Sequence, residues 1–154
     1  MVALRLVPPD SLERRLADAD IDGATAYTIT VRGYTLWHDR GFAHVGRRTG
    51  ASFRNESSPT IRLDVAHGGF CEAATCTPED PGLTYIRTEH SHGYVVRRGQ
   101  VDVRVMALAE ADRTLLRQAA LSARPATDAE LLRGLPPWTP DDAGARFHRW
   151  LHSF

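Results

Sequence analysis

Two histidines stand two positions apart in the run Glu89-His90-Ser91-His92. Alternate residues of a β-strand project to the same side. The spacing therefore predicts two imidazoles offered to one divalent cation, the donor type that first-row metals favour. Asp64, His67, Cys71 and Cys76 supply every ligand type that a third or fourth position needs. On this reading Glu89 or Asp64 serves as general base or extra ligand beside His90 and His92. The plainer reading is a pair of exposed polar residues near a glycine-containing turn, with no cofactor bound.

The same stretch resembles a known motif. His90-Ser91-His92, then Tyr94-Val95-Val96 and Gly99-Gln100-Val101-Asp102-Val103, is similar to the first motif of a cupin. That motif implies two His and then a Glu on facing strands of a β-barrel. Here Val96 and Arg97 stand where the Glu ligand belongs, and no second motif follows. The resemblance is kept as a hairpin carrying two His, and no family is assigned from it.

Cys71 and Cys76 are the only cysteines. Four residues between them allow a small disulfide loop. The tighter two-residue spacing diagnostic of metal or redox chemistry is absent. An oxidising compartment predicts a stapled loop, and a reducing one predicts two inert thiols. Cys71 with His67 is also imaginable as a nucleophile and base, since Gly68 and Gly69 would let the loop fold back. No Gly-x-Ser-x-Gly elbow and no phosphate-cradling Walker loop occurs.

Arginines suggest a different chemistry. Arg47, Arg48 and Arg54 lie in a polar stretch, and Arg97 and Arg98 at a hairpin turn. Guanidinium groups suit carboxylate and phosphate. Trp37 faces away from Tyr34 and Leu36 in the alternation, which asks for a helix, ligand or partner to cover one of the two faces. Trp37, Arg47, Arg48 and Arg54 are thus the candidate binding residues. His148 and His152 are one helical turn apart but lack a zincin Glu, so edge-of-core packing explains them more cheaply. Trp138 is a similar case.

These residues need elements to hold them. Asp10 or Ser11 can cap a helix over about 10–20, with Glu13 at capping-box spacing from Asp10. From about 24 to 107 the chain reads as β-rich. Tyr27, Ile29 and Val31 alternate with Thr28 and Thr30, and Ile61, Leu63 and Val65 with Arg62 and Asp64. Residues 46–58 and 68–82 read as loops. Val101, Val103 and Val105 share a face beyond the Arg98-Gly99 turn, the clearest hairpin signal in the chain. Ala111, Leu115, Leu116, Ala119 and Ala120 mark an amphipathic helix. Thr127 and Glu130 make a capping box for a short helix stopped at Gly134. Thr139 and Pro140 open a last helix with Phe147, Trp150 and Leu151 on one face. Strands followed by helices predict an α+β fold. The expected picture is a curved, mainly antiparallel sheet, with a short N-terminal helix and two to three C-terminal helices on one face. Residues 1–154 read as one domain.

Composition narrows the function classes. The 154 residues carry equal numbers of basic and acidic side chains, which argues against a broad nucleic-acid or membrane surface. None of the 19 basic residues is Lys. This points to a GC-rich bacterial genome and not to recognition chemistry. The start lacks signal-peptide features, so a cytoplasmic location is expected, or an extracytoplasmic one if a leader or anchor has been removed. The expected function is a non-enzymatic ligand- or protein-binding, regulatory domain whose partner is a protein or a small molecule. The alternatives are a metal-dependent enzyme built on His90 and His92, or a pocketed barrel for a small apolar substrate with His67 or His38 as acid/base.

Overall fold

Hairpins with short connections dominate the middle of the chain, and short links of this kind force antiparallel pairing. A computed structural model describes residues 11–37 and 41–135. Helix α1 covers Leu12–Asp18, followed by a 3₁₀ turn at Gly23–Thr25. Strands β1 (Tyr27–Thr28), β2 (Thr35–Leu36), β3 (Ala43–Val45), β4 (Arg48–Asn55) and β5 (Ser58–Ala66) come next. Strands β6 (Thr75–Asp80), β7 (Leu83–Arg87), β8 (Ser91–Arg98) and β9 (Val101–Leu108) follow. Helix α2 (Arg113–Leu121), strand β10 (Arg124–Pro125) and helix α3 (Asp128–Gly134) complete the order.

The main sheet runs β2-β4-β5-β9-β8-β7-β6, with β3 beside β2 along the same edge of β4. Every pairing is antiparallel. The α+β architecture expected from the element order is the one observed. Among the described residues the sheet is open, not closed into the barrel that the cupin-like motif and the pocketed-barrel alternative imply. No helix among the described residues is long and apolar enough to cross a membrane.

Strand alternation sorts side chains onto two faces. Ile61, Leu63 and Val65 of β5 share the helix-covered face with Val101, Val103, Val105 and Ala107 of β9 and Tyr94 and Val96 of β8. Leu116, Ala119 and Ala120 of α2, at helical spacing, close this core. The opposite face carries a smaller cluster of Ala66, Ile86, Val95 and Met106, covered by Phe70 from the loop after β5.

Two expected loops contain strands. β4 lies within residues 46–58 because Ala51 and Phe53 pair with Leu63 and Ile61 and bury against the core. Its outward residues are polar, and that hid the alternation. β6 lies within residues 68–82 at the edge of the sheet, where Pro78 is tolerated because no further strand needs its N–H. The expected strand through Tyr34, Leu36 and His38 shrinks to Thr35–Leu36 in the described residues.

Caps explain the helix limits. Ser11 caps α1, accepting from the Arg14 amide at 3.2 Å; Asp10, the other expected cap, lies outside the described residues. Asp112 caps α2, accepting from the Thr114 amide at 2.7 Å. Thr127 and Glu130 form the full capping box of α3. The hydrogen-bonded Arg124 guanidinium, and then the Thr127 amide, hold the Glu130 carboxyl down to about 2. Gly134 ends α3 at a close approach: a Cβ there would meet Phe42 Cδ2 at 2.6 Å and Leu36 Cδ2 at 2.9 Å. Glycine thus lets α3 seat against the segment leading to Trp37. The expected last helix, with Trp138, Thr139, Pro140, His148 and His152, lies outside the described residues, as does His38.

Candidate functional site

The paired strands β2 and β4 place Thr35 opposite Arg54 and Leu36 opposite Phe53, and the Trp37 amide donates to Ser52 O at 2.8 Å. This register brings Arg54 over the Trp37 indole, 4.6 Å from its centroid to the guanidinium carbon. Among the described residues, the Arg54 guanidinium has no carboxylate partner. A guanidinium stacked on an aromatic face keeps its N–H edge available for carboxylate or phosphate. The stacked pair lines a cleft of about 720 Å³ with Gly33, Thr35, Asn55, Glu56 and Ser57, and the Glu56 carboxylate makes no ion pair with Arg54.

Arg47 and Arg48 do not join Arg54. Arg47 lines a separate cleft beside Asp20, His44 and His67. Arg48 stacks on Phe70 at 4.9 Å, at the other end of β4. Arg48 and Arg54 stand at opposite ends of β4, and Arg47 lies in the turn before it. Arg97 and Arg98 also have structural partners. Arg97 pairs with Asp102 at 2.7 Å, and Arg98 donates to Leu121 O at 2.8 Å and Ala123 O at 3.0 Å at the end of α2.

His90 and His92 are not brought together as two ligands. Strand β8 begins at Ser91, so His90 sits in the preceding turn, where alternation does not apply. Its side chain is 81% exposed, 3.7 Å from Glu89. His92 is buried, with Nε2 2.9 Å from Ala111 O and Nδ1 3.0 Å from the Tyr85 hydroxyl. No group of three or more His, Cys, Asp or Glu among the described residues could hold a metal ion. Asp64, a candidate third ligand, is 1% exposed and held by Arg104 at 2.6 Å and Arg62 at 3.1 Å. His67 is exposed and lies 3.2 Å from Gln100 O. Cys71 and Cys76 lie at disulfide distance, with Cα atoms 5.8 Å apart. The disulfide leaves no free thiol for the Cys71–His67 pairing.

A second polar assembly was not foreseen. Register sets Tyr85 opposite Tyr94 and Arg87 opposite His92. Arg113, in the first turn of α2, lies 3.7 Å over the Tyr85 ring and donates through Nε to the Tyr94 hydroxyl at 3.0 Å. Glu79 accepts from Arg113 and, at 3.2 Å, from the Tyr94 hydroxyl. Hydrogen bonds to Tyr94 and then to Glu79 raise the Arg113 guanidinium above its ordinary value. Tyr85 and His92 both line a cleft of about 540 Å³ with Thr88, Glu89 and Ser91. The readable signal was the turn at residues 88–91. Once centred there, it places 85 opposite 94.

No family model matches the chain, and no curated protein and no solved structure is significantly similar to it.

Proposed function

We propose that this chain is a ligand- or protein-binding, regulatory domain whose contact surface is the Trp37–Arg54 cleft. The supporting observation is the stacked pair itself. An aromatic face presents one side of a guanidinium whose charge has no carboxylate partner among the described residues. Thr35, Asn55 and Ser57 add hydrogen-bonding groups around it. Such a surface suits a flat group carrying a carboxylate or phosphate, on a small molecule or at the tip of a partner protein.

The test is a titration with a panel of aromatic carboxylates and aryl phosphates, read at the Trp37 indole N–H by NMR. Removing one charge-assisted contact costs about 1.5–3 kcal/mol, so Arg54→Ala should raise Kd about 10- to 100-fold with the fold unchanged. Silence at Trp37 with every probe would overturn the proposal. So would binding that survives Trp37→Ala and Arg54→Ala together.

A further inference from the structure

We propose that Tyr85 and His92 form a nucleophile–base pair at the second cleft, where the Tyr85 phenol attacks a small acyl or sulfonyl electrophile. The inference is independent of the Trp37–Arg54 reading. The two clefts occupy opposite halves of the sheet, one at β2 and β4 and the other at β7 and β8.

The hydrogen-bond roles follow from elementary chemistry. A backbone carbonyl only accepts, so the His92 nitrogen at 2.9 Å from Ala111 O must donate. In neutral imidazole the proton is then on Nε2, and Nδ1 is a lone-pair acceptor. The Tyr85 hydroxyl, 3.0 Å from Nδ1, is therefore the donor. Nucleophile, base and orienting group stand in the sequence that hydroxyl activation requires: the phenol against the imidazole, and the imidazole fixed by a third group. Burial of His92 keeps the ring from rotating away.

A cation is held against the phenol ring. The Arg113 guanidinium lies over the Tyr85 ring and is itself pinned by Glu79 and Tyr94, so it is in place before any reaction. A fixed cation facing developing negative charge lowers the barrier without reorganisation. Tyr85 is half-buried and lines the cleft, which gives an electrophile a route to it.

The step balances with an aryl sulfonyl fluoride as probe. The Tyr85 oxygen bonds to sulfur, the S–F bond breaks, fluoride leaves, and the phenol proton passes to His92 Nδ1.

The four tyrosines supply internal controls, because Tyr27 and Tyr34 are half-buried like Tyr85. The full chain is treated with the probe for a timed interval, and the modified residues are found by mass spectrometry. Tyr85 should be labelled at least about tenfold faster than Tyr27 and Tyr34, since a positioned base contributes roughly 10²–10⁴-fold. His92→Gln can still hydrogen-bond but takes no proton, and it should bring Tyr85 down to their rate. Labelling of Tyr85 no faster than Tyr27 and Tyr34 would overturn the proposal without any variant. Undiminished labelling in a folded His92→Gln chain would overturn it as well.

Discussion

The two faces of the sheet bury different chemistry. On the helix-covered face, strand residues such as Leu63, Val103 and Val105 meet Leu116 and Ala120 of α2, and stability comes from apolar area. On the opposite face the apolar cluster is small, and beside it lies a carboxylate, Asp64, that is 1% exposed. Arg104 pairs with that carboxylate, and Phe70 covers Arg104 at 4.6 Å. The loop that brings Phe70 there is closed by Cys71 and Cys76. One face is thus held by a broad core, the other by a small apolar cluster and the buried Asp64 carboxylate with its arginines, under one aromatic ring on a stapled loop.

Three measurements would break or sharpen this contrast. The largest loss is expected from Leu116→Ala, a fully buried side chain in the broad core, at about 2–5 kcal/mol in denaturant unfolding. A loss below that of any change on the opposite face would invert the comparison. Asp64→Asn keeps the shape but leaves the Arg104 charge without its partner, and should cost about 2–3 kcal/mol. Arg62, 57% exposed at its side chain, adds little to that figure. A neutral Asp64→Asn would mean that the second face is apolar packing like the first. Replacing both cysteines by serine should cost about 2 kcal/mol by freeing a short loop. The same variant should raise amide exchange in β6 and β7 while leaving β9 unchanged. Equal loosening of all three strands would show that the staple supports the whole sheet and not one face.

The parts of the fold read correctly from the chain are those decided within a few residues. The Arg98-Gly99 turn forms because Gly99 adopts φ 57°, and Val101, Val103 and Val105 then fall on one face by alternation. The Thr127–Glu130 box needs only its own turn of helix. The candidate site fared differently. His90 and His92 met the strand-spacing rule in sequence, but β8 starts one residue too late for the rule to reach His90. Arg54 was singled out with Arg47 and Arg48 for lying near them in the chain. The pairing of β2 with β4 parted it from them and set it on Trp37. Tyr85, Arg113 and Glu79 drew no attention because each is ordinary alone.

By itself, then, the amino-acid sequence determined the α+β class, the antiparallel preference, the main hairpin and the Thr127–Glu130 cap of α3. Periodicity and turn chemistry act over short separations, where chain connectivity leaves few alternatives. The tertiary structure alone decided which side chains share a cleft. Strand register and helix docking join residues distant in sequence, such as Trp37 with Arg54 and Tyr85 with Arg113. Those contacts depend on how the whole core packs and not on any local pattern.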